Sequence, residues 1–204
     1  MLNRFILPFG GLLRGRLVAG ETPVVNGATG AFGTAAVLLG IAMGAARVVA
    51  AGRNQTTLEA VVRAAGRRVI PVRLAGNVSA DAASLRQAAG GGAEIAYDMV
   101  GQAGDANATL AAINSLRRGG RLVLMGSVTT PLPLSYSDVM RNDWEIIGQF
   151  MYPAGAYRRL IGLLRAGLLD ISAIRPLRFP LAALPDAMEA AARAGSLECV
   201  VVQP

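Results

Sequence analysis

The chain has 204 residues, of which 53% are hydrophobic and 16% charged, and this composition predicts a globular domain with a substantial core. Its net charge is +7, but the arginines are scattered and aromatic residues are few, so we favour a solvated basic surface over a nucleic-acid partner. Histidine and lysine are absent and Cys199 is the only cysteine, which excludes a disulfide framework, a Schiff-base lysine and a zinc site within this chain.

The sequence predicts no membrane attachment. Its longest apolar stretch, residues 34–46, is interrupted by Gly40 and Gly44 and is too short to span a bilayer. The apolar N-terminal residues contain Pro8 and paired glycines and lack a cleavage site of small residues, so we do not interpret them as a signal peptide. A single cysteine fits a reducing, cytoplasmic compartment.

The first predicted strand, residues 24–26, leads into a glycine-rich turn and then an apolar helix at 34–43. Gly27, Gly30 and Gly33 follow one another at three-residue spacing. A turn of this kind exposes backbone N–H groups at a helix N-terminus, where the partial positive charge favours a phosphate group. The alternative is that the glycines only close a tight corner between strand and helix.

Strands and helices continue to alternate along the chain. The further predicted strands are 47–51, 69–72, 94–98, 121–125 and 144–150, and the further helices are 57–65, 79–89, 106–116 and 156–166. Alternation with continuous apolar strands is typical of a parallel sheet covered by helices on both faces. We therefore predict an α/β fold with a Rossmann-type, doubly wound, parallel six-stranded sheet of order 3-2-1-4-5-6. A last helix and a strand at 198–203 follow it.

The end of the second strand indicates which dinucleotide the chain binds. In this fold an acid there accepts hydrogen bonds from the ribose of NAD, whereas an arginine without an acid accommodates the 2′-phosphate of NADP. Gly52 stands at the position of the acid and Arg53 follows it, so we predict NADP(H). The alternative is that Arg53 is an ordinary exposed loop charge. The missing acid also argues against an S-adenosylmethionine-dependent methyltransferase.

Other strand ends should line the same crevice, because the carboxyl ends of parallel strands meet at one edge. Asp98 and Ser127 offer polar contacts, although Asp98 could instead hydrogen-bond the turn at Gly101 and Ser127 could be a solvated loop residue. The predicted cofactor-binding residues are Gly27, Ala28, Thr29, Gly30, Ala31, Phe32, Gly33, Gly52, Arg53, Asn54, Asp98, Gly126, Ser127, Phe150 and Met151. The sequence identifies no catalytic residue.

Four segments in order carry a family resemblance: VVNGATGAFGTAAVLLGIAMGAARVVAAGRN, EIAYDMVG, LRRGGRLVLMGS and FPLAALPDAMEAAARAGSLECVVVQP. Together they resemble the nucleotide-binding half of the medium-chain dehydrogenase/reductase superfamily, which includes zinc-containing alcohol dehydrogenases and zinc-free quinone oxidoreductases. The resemblance implies NADP(H) binding and hydride transfer between NADPH and a carbonyl, alcohol or enone substrate. The alternative family, the short-chain dehydrogenases, requires a Tyr-x-x-x-Lys motif, which a chain without lysine cannot contain.

The resemblance also implies a domain organisation. Residues 1–22 correspond to the end of a GroES-like catalytic domain that is otherwise missing, residues 23–175 to the NADP-binding domain, and residues 176–204 to a segment that returns to the catalytic domain. Most zinc ligands of the family lie in that missing half, so we expect no zinc in this chain. The edge strand from Trp144 to Phe150 should pair two copies into a homodimer. The alternative function is a non-catalytic dinucleotide-binding module or a subunit of a split enzyme.

Overall fold

A computed structural model describes residues 2–204 of the chain, so Met1 of the predicted segment 1–22 lies outside the described residues. Its helices are α1 Asn3–Arg14, α2 Ala31–Ala42, α3 Gln55–Ala65, α4 Val78–Ala88, α5 Asn107–Asn114, α6 Tyr136–Arg141, α7 Ala156–Arg165 and α8 Leu184–Arg193. Its strands are β1 Pro23–Asn26, β2 Val48–Gly52, β3 Val69–Arg73, β4 Ala93–Asp98, β5 Leu116–Leu124, β6 Glu145–Gly148, β7 Arg175–Pro180 and β8 Glu198–Gln203.

The main sheet has six parallel strands in the order β3-β2-β1-β4-β5-β6, which confirms the predicted fold and strand order. Its central strands are apolar at successive positions because both faces of the sheet are covered. One face packs against α1, α2, α3 and α7, and the other packs against α4 and α5. The order reverses between β1 and β4, so the crevice for a ligand lies at the carboxyl ends of these two strands.

The helix α1 was not predicted from the sequence, where Pro8 and the paired glycines served only as an argument against a signal peptide. Its apolar side is nevertheless buried, with Phe5 and Phe9 in the core beside α2 and α7. Gly10 allows this close approach: a Cβ at position 10 would lie 2.7 Å from the carbonyl oxygen of Met151. Gly10 is therefore a position where the helix meets neighbouring backbone, whereas the next residue, Gly11, packs against the side chain of Met125.

The short helix α6 was not predicted either, and further differences between prediction and structure concern the boundaries. The strand β5 begins at Leu116 rather than at residue 121, since Leu116 already pairs with Ala93 before a bulge shifts the register. The preceding helix α5 consequently ends at Asn114, two residues earlier than predicted. The edge strand β6 covers only Glu145–Gly148, shorter than the predicted 144–150.

A small second sheet closes the chain. The strand β8 has the predicted bounds, and it pairs in parallel with β7, which was not predicted. The 3-10 turn Leu181–Ala183 and helix α8 connect them. Among the described residues, no helix is long and apolar enough to cross a membrane.

The variant Gly10→Ala should destabilise the protein, because the added methyl group would lie 2.7 Å from the Met151 carbonyl oxygen and 2.8 Å from the Tyr152 Cβ. We expect the free energy of unfolding in urea to fall by about 1–3 kcal/mol. The control is Gly162→Ala in α7, where an added Cβ meets no atom within 4 Å. This variant should gain about 0.5–1 kcal/mol from the helix propensity of alanine. Equal shifts in the same direction would contradict the packing role of Gly10.

Candidate functional site

The glycine turn joins β1 to α2 with its backbone folded tightly on itself. Gly27 has a φ of +82°, a conformation that glycine adopts at little cost. The N–H groups of Gly27 and Ala28 donate to the Ala51 carbonyl oxygen of β2, at 3.1 and 2.8 Å. The Gly30 N–H donates to the Gly27 carbonyl oxygen at 3.0 Å. These three N–H groups hold the turn in shape and are therefore occupied.

The third glycine brings the helix against the turn. A Cβ at Gly33 would lie 2.0 Å from the Gly27 carbonyl oxygen, so no other residue fits there without moving the backbone. The Thr34 hydroxyl donates to the Ala28 carbonyl oxygen at 2.9 Å and fastens the same contact. The spacing of three residues thus serves close packing between the turn and the helix.

The N-terminus of α2 remains open. Gly30 is its N-cap residue, and within residues 2–204 no side chain caps it. The first N–H groups of a helix have no intrahelical acceptor, so the amides of Ala31, Phe32 and Gly33 are available to a ligand. Ala31 and Phe32 are exposed at this end. The helix dipole adds a partial positive charge there, which suits an anionic group.

The end of β2 lies beside this turn. A Cβ at Gly52 would lie 2.6 Å from Thr29 Cγ2, so the glycine at the position of the missing acid has a packing reason as well. Arg53 is exposed and takes part in none of the ion pairs formed within residues 2–204. Asn54 accepts a hydrogen bond from the Thr57 N–H at 3.0 Å and caps α3. Arg53 therefore contributes an unpaired positive charge at this corner.

Asp98 lies on the opposite side of the sheet from α2 and is only 3% exposed. Its carboxylate accepts hydrogen bonds from the Thr109 hydroxyl at 2.7 Å, the Asn26 amide at 3.1 Å and the Val100 N–H at 3.2 Å. Burial raises the pKa of Asp98, while these hydrogen bonds act in the other direction. The carboxylate joins β1, β4 and α5, and its bond to Val100 N–H matches the alternative that Asp98 holds the turn towards Gly101.

The loops after β4 and β5 run side by side above the sheet. Gly101 and Ser127 form a parallel bridge, and the Ser127 N–H donates to the Val100 carbonyl oxygen at 3.0 Å. A Cβ at Gly126 would lie 2.0 Å from that same oxygen. Gly126 is thus required where the two loops meet, and this contact places Ser127 at the edge of the crevice.

A cleft of about 280 Å³ opens beside these loops. Five of its lining residues belong to the predicted cofactor site: Phe32, Gly126, Ser127, Phe150 and Met151. Met99 and Gly101 also line it, and they follow β4, one of the strand ends expected at the crevice. The remaining lining residues were not predicted, namely Leu7, Pro8, Met125 and Gln149. Leu7 and Pro8 come from α1, so the unpredicted helix forms one wall of the cleft. The apolar N-terminal run was the signal in the sequence that could have indicated this wall.

The segment after β6 forms the outer side of the cleft. Phe150 is 91% exposed, and Met151 has a φ of +59°, an unfavourable conformation for a residue other than glycine. The Gln149 amide donates to the carbonyl oxygens of Phe150 and Met151, both at 3.1 Å, and holds this conformation. An exposed aromatic ring beside an apolar cleft is suited to cover a planar ligand.

The donor atoms of this chain do not suit a zinc ion. A zinc site takes three or four ligands from cysteine, histidine and acidic side chains. Cys199 is the only cysteine and histidine is absent. Among residues 2–204, no group of three such side chains is close enough to hold a metal. That the chain binds no zinc remains a prediction.

The variant Asp98→Asn should remove a pH dependence of stability. Because the folded pKa of Asp98 lies above its ordinary value of 3.8, the native state retains a proton that the unfolded state has released. Wild-type stability therefore decreases as the pH rises from about 4 through the folded pKa. The free energy of unfolding of the variant, relative to wild type, should increase over this interval in urea titrations. A difference that is independent of pH would contradict the raised pKa.

Comparison with known proteins identifies relatives of this chain. Residues 31–166 match the zinc-binding dehydrogenase family. The chain is 28% identical to a putative D-xylulose reductase of Agrobacterium fabrum, over 100% of this chain and 57% of the relative. It is 31% identical to a putative D-xylulose reductase of Rhizobium meliloti, over 93% of this chain and 54% of the relative. The chain thus spans about half the length of the curated relatives it matches.

Solved structures share the fold. An alcohol dehydrogenase from Thermus sp. ATN1 superposes with a TM-score of 0.82 at 22% identity, over 98% of this chain and 56% of that one. A short chain alcohol dehydrogenase from E. coli, complexed with NADH, gives a TM-score of 0.81 at 19% identity, over 100% of this chain and 58% of that one. The sheet order and the glycine turn are consistent with the family match. The chain therefore belongs to the zinc-binding dehydrogenase family, within the medium-chain dehydrogenases, and corresponds to their nucleotide-binding half.

Proposed function

We propose that this chain is the NADP(H)-binding part of an oxidoreductase of the alcohol dehydrogenase type. The observation that carries the NADP assignment is the corner at the end of β2, where Gly52 replaces an acid and Arg53 has an uncompensated charge. An acid there would repel a 2′-phosphate, whereas a guanidinium binds it through two parallel hydrogen bonds. The E. coli alcohol dehydrogenase that shares this fold was solved with NADH, so the fold alone does not decide between NAD(H) and NADP(H).

The cofactor would lie across the carboxyl edge of the sheet. The open N-terminus of α2, at Ala31 and Phe32, would hold the pyrophosphate. Thr29, Gly52 and Arg53 would surround the adenosine ribose. The glycine turn supports this placement because a Cβ at Gly33 would occupy the space that the turn needs to approach the helix.

The nicotinamide would occupy the cleft between Phe32, Ser127 and Phe150. The cofactor, when bound, supplies or accepts the hydride. The chain's own residues would position the ring and exclude water, with the backbone of Gly126 and Ser127 on one side of the cleft and Phe150 on the other. Substrate classes consistent with the resemblance are carbonyls, alcohols and enones, and both curated relatives cited above are named as sugar reductases. No described residue is assigned a catalytic role.

The alternative proposal is a non-catalytic binding module or one subunit of a split enzyme. It is supported by the share of the relatives that this chain spans, about half of their length. Residues 1–22 and 176–204 would then connect to, or contact, a separate catalytic domain. A module of this kind binds NADPH without oxidising or reducing any carbonyl, alcohol or enone, so turnover of such a panel by this chain would exclude the alternative. We place either form in the cytoplasm, since the chain has a single cysteine.

The edge of the sheet would pair two copies of the chain. The strand β6 is at the end of the sheet, and Ile146 is 39% exposed on it. Tyr136 and Met140 of the preceding helix α6 are also exposed. An exposed apolar edge strand favours pairing with an identical strand across a two-fold axis.

Light scattering at micromolar concentration should therefore report a dimer. The variant Ile146→Arg should be monomeric, because it would place a charged arginine on the apolar pairing edge of both copies. Leu168→Arg is the matched control, since Leu168 is an exposed leucine in the turn after α7, and this variant should remain dimeric. A monomeric wild-type chain would contradict pairing through β6.

The variant Arg53→Gln tests the cofactor assignment. The Kd for NADPH, measured by titration of nicotinamide fluorescence, should rise about tenfold or more, because a hydrogen bond to a charged group contributes about 1.5–3 kcal/mol. The Kd for NADH should change little, since NADH lacks the 2′-phosphate. The control is Arg67→Gln, which removes an equally exposed arginine from the amino end of β3. Tighter binding of NADH than of NADPH by the wild type would refute the assignment.

A further inference from the structure

The last residue of β3, Arg73, stands next to the predicted ribose corner. In the parallel pair β2–β3, the Cα atoms of Gly52 and Arg73 are register partners. Neighbouring strands lie about 4.8 Å apart, so Arg73 begins one strand spacing from the position where the fold usually carries its ribose-binding acid. Arg73 was not among the site residues predicted from the sequence, because strand register is a property of the folded sheet.

The side chains at these two positions share a face of the sheet. Val48 and Ala50 of β2 pack in the core under α1, α2 and α3, and Gly52 follows with the same period of two. Val69 of β3 packs in the same core, and Arg73 is four residues further along the strand. Arg73 therefore projects from the face of the sheet that carries the glycine turn and α3. Arg53 lies in the connection from β2 to α3.

The charge of Arg73 is not compensated by the protein. Arg73 is exposed and joins no ion pair within residues 2–204. The acid that follows β3, Asp81, is buried, and its carboxylate accepts the N–H groups of Ala75 and Gly76, both at 2.9 Å. Asp81 belongs to α4, which covers the opposite face of the sheet. Two unpaired guanidinium groups thus lie at one corner.

We propose that Arg73 is a second specificity-determining residue, which binds the 2′-phosphate of the cofactor together with Arg53. This proposal rests on the NADP assignment made above. A phosphate monoester carries a charge of about −1.5 to −2 and three acceptor oxygens at neutral pH, more than one guanidinium neutralises or saturates. Gly52 lies between the two arginines in the fold and has no side chain that would separate them. Arginine rather than lysine suits the site, because its planar fork matches phosphate oxygens.

The experiment compares two fragments that differ only in the 2′-phosphate. Isothermal titration of the 204-residue chain measures the Kd of 2′,5′-ADP and of 5′-AMP for the wild type and for Arg73→Gln. The variant should bind 2′,5′-ADP about tenfold more weakly and 5′-AMP with unchanged affinity. Arg73→Lys should recover part of the loss by retaining the charge. The matched control, Arg67→Gln, removes the same charge from the other end of β3 and should change neither Kd.

The possible results distinguish the role of Arg73 from the NADP assignment on which it rests. A wild-type chain that does not prefer 2′,5′-ADP to 5′-AMP overturns both the NADP assignment and the role of Arg73. A wild type with that preference, which Arg53→Gln loses and Arg73→Gln retains, overturns the role of Arg73 alone. An equal loss for both fragments in Arg73→Gln also overturns it, because the guanidinium would then contact the adenine or the 5′-phosphate. The unfolding temperatures of the variants should match wild type, since both arginines are exposed.

Discussion

The contact between Gly27 and Gly33 is the constraint on which the site depends. The Gly27 carbonyl oxygen lies so close to the first turn of α2 that a Cβ at position 33 would come within 2.0 Å of it. This contact directs the open helix N-terminus towards the crevice, and it brings Thr29 against Gly52 at the end of β2. Gly126 makes an equally close approach to Val100 across the crevice. Bare backbone at these points leaves room for a ligand along the whole edge.

Charge is distributed along this edge in a way that suits a dinucleotide. The positive end of α2 and the exposed arginines Arg53 and Arg73 give this edge a positive charge. The acid nearest the switch point, Asp98, is buried on the other side of the sheet, and its carboxylate is held by Asn26 and Thr109. The cleft at the other end of this edge is lined mainly by apolar side chains.

The cleft is lined mainly by apolar residues and glycines. Among the described residues that line it, none is a carboxylate, a histidine or a cysteine. In the relatives, this region is about half of a longer chain. The helix α1 forms one wall of the cleft, and the paired strands β7 and β8 form a separate small sheet at the other end of the chain. Both terminal segments therefore have defined structures beside the nucleotide-binding sheet.

The amino-acid sequence by itself determined the strand–helix alternation, the sheet order, the glycine turn and the missing acid at Gly52, because these depend on local periodicity and on backbone rules that hold for short segments. It did not predict α1, and only the folded structure shows the contact with Met151 that explains Gly10. The position of Arg73 beside Gly52 and the bonding of Asp98 to Asn26 were also decided by the tertiary structure. These contacts join residues that are distant in the chain. The register of the strands, and the face of the sheet on which each side chain lies, are set only when the strands pair.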